Sequence, residues 1–415
     1  MKNLMHMPKL DSQTLFSALL GYYIAVLFFL PPPGYIPRFS PAYFALVLPV
    51  LFYTAANFRH LLSGYSTASM WLLTFGILVS VVSLFRLDFD TLRRVLVFTL
   101  PILAILNSRP RLDLRVVNSL FLGAFIIHLL INHGEITIPP LNRGSLPGLA
   151  SDIRDLTWRL SLLPFVPESA FFSVLVVIIN LFLSARRWRY LFIGLGTAFV
   201  LLSGIRSATV ALILVFLLFV LSRYRWFNWA GLYALYFTVV ITLFVITLTT
   251  DVLFYIAPRF DSELINSFLY RHSEGLQSVG HLRETIYRGV VWERHLSLFL
   301  EHPLFGVGTF TVLDLLRDSS SNAETFCSSC SFLTEWTARV GLMIVPLLIF
   351  IGLLIARAVF DRDPYLLGIC LTLTIVSLTW GTLLVPYNPI FLLLFGAIGT
   401  SQRLRQADEQ ASPCQ

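Results

Sequence analysis

Residues 169–184 read SAFFSVLVVIINLFLS, sixteen positions without a charge. A helix on the surface of a water-soluble domain keeps a polar face; this one has none. As a helix the run is long enough to cross most of a hydrocarbon core of roughly 30 Å. Arg186, Arg187 and Arg189 follow it. Two more apolar runs, 189–203 and 206–221, come next, joined at Ser203-Gly204-Ile205-Arg206-Ser207-Ala208. The same alternation extends in both directions. Further spans are predicted at about 14–30, 41–57, 68–85, 92–107, 116–131, 229–250, 337–356, 365–384 and 387–400, twelve in all, the last one short enough to be a half-span. The expected fold is therefore an all-α polytopic membrane protein of about 12 transmembrane helices, one integral membrane domain over 1–415.

Composition agrees. Of 415 residues, 56% are hydrophobic and only 13% charged, about half the charged share of a soluble domain. Mean hydropathy is +0.77. These values exclude a soluble enzyme fold. The unbroken apolar runs exclude an outer-membrane barrel, whose strands alternate polar and apolar residues. Of 30 basic residues only Lys2 and Lys9 are lysines. They lie between apolar runs rather than in one patch, which argues for topology rather than nucleic acid. The run at 14–30 lacks a small-x-small cleavage site and reads as an uncleaved first span.

Basic residues in short loops favour the cytoplasmic side. With the N-terminus inside, fifteen of the thirty fall in short inner segments, and most of the others fall in two long outer loops, 132–168 and 251–336. Both termini are expected in the cytoplasm. One short outer segment, holding Arg86, Arg93 and Arg94, runs against the count. The 132–168 loop has a helical candidate around Asp152–Leu160. The 251–336 loop is the large one, with a helix predicted at about 281–301 and stopped by Pro303 and the Gly306-Val307-Gly308 turn.

Ionisable residues at span ends are candidates for chemistry. Arg206 opens a span after a Ser-Gly turn, where backbone N–H groups suit an anion; its alternative is a side chain reaching the lipid headgroups. Ser203 and Ser207 flank it. On the predicted loop helix, Arg283 and Arg294 share a face and each adjoins an acid. Arg288 points about 140° from Arg283, at roughly 100° per residue. It has no adjacent acid and stands four residues before Trp292. His281, His295, His302, Glu324 and Glu335 are proton-acceptor candidates, each with the alternative of a solvated side chain. Cys327 and Cys330 are an outer disulfide or two inert thiols; a zinc site needs further ligands at suitable spacing. The chain has no GxxxxGK[ST] loop for ATP.

The ordered set Ser203-Gly204-x-Arg206-Ser207-Ala208, Arg288-x-x-x-Trp292, His302-Pro303-Leu304-Phe305-Gly306-Val307-Gly308 and Phe332-Leu-Thr-Glu-Trp-Thr-Ala-Arg-Val-Gly341 resembles the O-antigen ligase and O-antigen polymerase superfamily of bacterial envelopes. The motifs cover roughly 200–356; the first half matches in hydropathy alone. The resemblance implies a metal-independent, inverting glycosyltransferase without cofactor. It would use undecaprenyl-pyrophosphate-linked oligosaccharide at the outer face of the inner membrane, with membrane lipid and a chain-length regulator as partners. It maps the family's two functional arginines onto Arg206 and Arg288 and its glycine turn onto Pro303 to Gly308. Around these, Ser203, Ser207, Trp292, Gly306, Gly308 and Glu324 are the expected substrate contacts. One departure stands out. Ligases place a His-Asn pair about eleven residues before the glycine matched by Gly341, and that register holds Cys330 and Ser331. This tilts the expectation from ligation to polymerisation and leaves the general base unidentified. A multi-span transporter or flippase is the alternative outside the superfamily.

Overall fold

In a computed structural model, the residues described are 11–27, 41–61, 66–132, 166–183, 188–203, 205–222, 295–308, 331–379, 384, 386 and 388–411. All regular structure among them is helical. The principal helices are α1 (Ser12–Leu27), α2 (Pro41–Ala56), α3 (Thr67–Phe85), α4 (Phe89–Ser108), α5 (Leu114–Asn132), α6 (Val166–Leu183), α7 (Arg189–Ser203) and α8 (Arg206–Ser222). After them come α9 at 295–301, α10 (Phe332–Val340), α11 (Val345–Phe360), α12 (Pro364–Thr379) and α13 (Pro389–Ala411).

Local signals set the ends. The Ser66 side chain accepts a hydrogen bond from the Ser69 N–H and starts α3. Asp88 does the same for Thr91 at the start of α4, and Ser331 for Thr334 at the start of α10. Side-chain caps of this kind satisfy N–H groups that a helix leaves bare. α4 stops where Arg109 turns left-handed at φ 48°, immediately before Pro110.

Three helices form the centre. Every residue from Pro167 to Leu181 on α6 is buried, as is every residue from Asn388 to Gln402 along α13. α12 is buried over most of its length. α6 therefore reads as apolar all round because protein surrounds it. Its one mid-helix amide, Asn180, is satisfied by Asn118 of α5 through reciprocal bonds of 3.0 and 2.8 Å. Peripheral helices turn large apolar side chains outward: Leu48 and Phe52 on α2, Ile77, Leu78, Val81 and Leu84 on α3. Such a belt is unsuited to water and suited to lipid.

Two described stretches, Thr67–Phe85 and Phe332–Phe360, are long and apolar enough to cross a membrane, and several shorter apolar helices accompany them. The second begins five residues earlier than the predicted span at 337, because α10 and α11 join through a 3-10 turn at Gly341–Ile344. The final helix, α13, runs for 23 residues, but its apolar part, Pro389–Leu404, is short, as expected. The span expected at 229–250 and the helix around 152–160 lie outside the described residues.

Candidate functional site

The turn that ends α9 docks on the α10–α11 junction, backbone against backbone. The Leu342 N–H donates to the Pro303 carbonyl at 2.7 Å, and the Val307 N–H to the Ala338 carbonyl at 3.0 Å. Gly306 and Gly341 permit this approach, with φ of 64° and 62°. A Cβ on Gly306 would sit 2.3 Å from the Arg339 carbonyl carbon, and one on Gly341 would sit 2.4 Å from the Pro303 carbonyl oxygen. Gly308, at φ 82°, faces the Asp88 carboxylate. Arg86 closes the turn from the α3 end. It donates to the Phe305 and Gly306 carbonyls at 3.2 and 2.8 Å and stacks over the Phe305 ring.

Beside the turn, α10 divides its faces. Phe332 and Trp336 join Phe75, Phe98 and, through Phe98, Phe391 in one aromatic cluster. The polar face holds Glu335 and Arg339, one helical turn apart, ion-paired and buried at 4% and 2% exposure. The pair continues into α4. Arg94 lies 3.7 Å from Glu335 and 3.0 Å from Asp90; Arg93 bonds Asp90 at 2.7 Å and reaches Tyr43 of α2. The three arginines that run against the positive-inside count are thus all engaged, two by carboxylates and one by carbonyls.

His295 enters this network from α9. It is 1% exposed, and its Nδ1 lies 3.2 Å from Thr334 Oγ1. Its Nε2 is buried without a hydrogen-bond partner among the described residues. Burial lowers its pKa to about 4; the Glu335 charge opposes that shift and Arg339 adds to it. The ring is neutral at ordinary pH.

The predicted residues are distributed as follows. Arg206 is the first residue of α8. Ser203 closes α7; its hydroxyl donates to the Val200 carbonyl at 2.6 Å and accepts from the Ile205 N–H at 3.3 Å, so it shapes the turn before Arg206. Ser207 is half-buried in the first turn of α8. Gly306 and Gly308 lie in the docked turn. Arg288, Trp292, Glu324, Cys327 and Cys330 fall outside the described residues. Sequence reasoning passed over Asp90, Arg94 and Arg339. The Glu335–Arg339 spacing of four was a readable signal, whereas the contribution of α4 was not.

A bundle with an apolar outer belt, a Gly-rich turn locked to a span entrance and ionic groups gathered beside it defines a membrane protein with a polar site at the end of its helices. The family model described as O-antigen ligase matches residues 191–329, from α7 through α8 to the docked turn and beyond, about a third of the chain. No curated protein matches the chain.

Proposed function

We propose that the chain is a polysaccharide polymerase: a metal-independent, inverting glycosyltransferase that joins undecaprenyl-pyrophosphate-linked oligosaccharide repeat units into O-antigen or exopolysaccharide. It works at the outer face of the bacterial inner membrane with both termini in the cytoplasm. The observation that carries this reading is the O-antigen ligase family match over 191–329, which includes Arg206, Arg288 and the 303–308 turn.

The chemistry follows from the leaving group. Pyrophosphate gains charge as the anomeric bond breaks. Guanidinium groups bind it in bidentate fashion and stabilise that charge as it develops. Arg206 and Arg288 take this role. Ser203, Ser207, Trp292, Glu324 and the turn at Gly306 and Gly308 border the substrate. A chain-length regulator is the expected protein partner.

Polymerisation is preferred to ligation because Cys330 and Ser331 stand in the ligase His-Asn register, and Ser331 is committed to capping α10. Transfer of finished glycan to lipid A-core or protein is the second reading. A strain lacking the protein separates them. Loss of long chains with single repeats retained supports polymerisation. Loss of all attached glycan, with lipid-linked polymer accumulating, means ligation. Loss of both long chains and single repeats from the surface, with lipid-linked repeats trapped inside, means a flippase.

A further inference from the structure

We infer that His295 is the proton acceptor for the attacking sugar hydroxyl, an assignment that rests on the polymerase reading above.

The assigned tautomer carries its proton on Nδ1. The Thr334 hydroxyl lies 3.5 Å from the Ser331 carbonyl as its donor and 3.2 Å from Nδ1; with its proton directed to the carbonyl, it accepts from Nδ1–H. A neutral imidazole with its proton on Nδ1 presents Nε2 as a bare acceptor. That atom is buried with no partner among the described residues. Buried acceptors are normally paired, so an unpaired one marks a place for an outside donor. A sugar hydroxyl supplies one.

The location fits. Thr334 stands in the first turn of α10, three residues after Ser331. The imidazole therefore reaches the helix end whose preceding residues, Cys330 and Ser331, offer no base. The same α9 leads through Pro303 into the docked turn. The groups around the ring are Glu335 and Arg339 on α10, with Arg94 and Asp90 of α4 behind them. Glu335 stabilises the imidazolium that proton transfer creates, and Arg339 opposes it.

In the step, the hydroxyl oxygen forms its bond to the anomeric carbon while its proton passes to Nε2. The bond from that carbon to the pyrophosphate oxygen breaks, and its electron pair leaves with undecaprenyl pyrophosphate. The imidazolium then returns its proton to water.

The test uses the purified full chain in lipid nanodiscs with lipid-linked single repeats as both donor and acceptor. A general base contributes about 100-fold or more, so His295→Gln should lower kcat by about that factor with donor KM nearly unchanged. Thr334→Val, which frees the tautomer, should give a smaller loss of kcat. The parent's rate should show an acid limb between pH 6 and 4 that is absent from the residual rate of His295→Gln. Polymer formation by folded His295→Gln at near-parental kcat overturns the inference and leaves the polymerase reading standing. If His295→Gln does not fold, the parent's profile decides: an acid limb supports the assignment, and a flat rate from pH 7 to 4 overturns it. A parent that makes no polymer from lipid-linked repeats overturns the polymerase reading and this inference with it.

Discussion

Twenty-eight of the thirty cations are arginines, and the fork geometry of guanidinium explains both their structural and their proposed chemical use. Arg86 and Arg94 each span two acceptors near the turn, which an ammonium point charge does not hold in one plane. For the same reason Arg206→Lys and Arg288→Lys should each abolish most polymer in a complementation assay, whereas Arg283→Ala and Arg294→Ala should be tolerated; near-normal polymer from the two lysine variants would refute the assignment. Glu335 and Arg339 make a second case. Removing one partner strands the other charge, so Glu335→Gln should cost about 3–5 kcal/mol in unfolding free energy, and an apolar replacement of both should recover most of it. His295 adds a pH dependence. Its folded pKa of about 4 lies below the ordinary 6.5, so the unfolded chain binds the extra proton between those values. Its stabilising contribution is complete above pH 6.5 and is lost as pH falls toward 4. Thermal midpoints measured from pH 7 to 4 should therefore fall less steeply in His295→Gln than in the parent. The Glu335–Arg339 spacing of four was readable in the sequence, but the link between α10 and α4 was not: Arg94 and Glu335 lie far apart along the chain, and a carboxylate in a loop-like stretch reads as solvated until the helix that neutralises it is in place.

At the scale of elements, the decisive contact is the 303–308 turn on the α10–α11 junction. The Pro-Leu-x-Gly-Val-Gly sequence announced a turn, since Gly tolerates the left-handed region that other residues avoid. What it packs against depends on backbone complementarity with residues 338–342, which no periodicity records. Gly306→Ala and Gly341→Ala each place a methyl group within 2.4 Å of backbone on the opposite segment, in a conformation strained for alanine. Each variant should lose folded protein in size-exclusion chromatography of detergent extracts; full recovery of monodisperse protein would show that the turn can separate from the junction at little cost. The apolar helices were far more legible. α6 and α12 follow directly from charge-free runs, because a hydrocarbon environment and a buried protein core demand the same composition. For that reason hydropathy gave their existence but not that α6, α12 and α13 form the centre while α2 and α3 face outward.

For the whole molecule, the reading requires the α3–α4 connection, the docked turn and the start of α8 to lie on the outer side of the membrane. Single-cysteine variants at Asp318 and Tyr224 test this: an impermeant thiol reagent added outside should label the first and spare the second, and the reverse pattern would overturn the mechanism. Cys327→Ser with Cys330→Ser should retain polymerising activity, because inversion at the anomeric carbon uses no thiol nucleophile; loss of polymer from Cys330→Ser alone, at normal protein level, would place that residue in the site. The central claim is the reaction itself, and the most direct measurement supplies purified protein with lipid-linked single repeats and no other acceptor, then separates the products by size. A ladder spaced by one repeat, with release of undecaprenyl pyrophosphate and dependence on Arg206 and Arg288, is the predicted result; repeats that stay monomeric, and are transferred only when lipid A-core or protein acceptor is added, would contradict it.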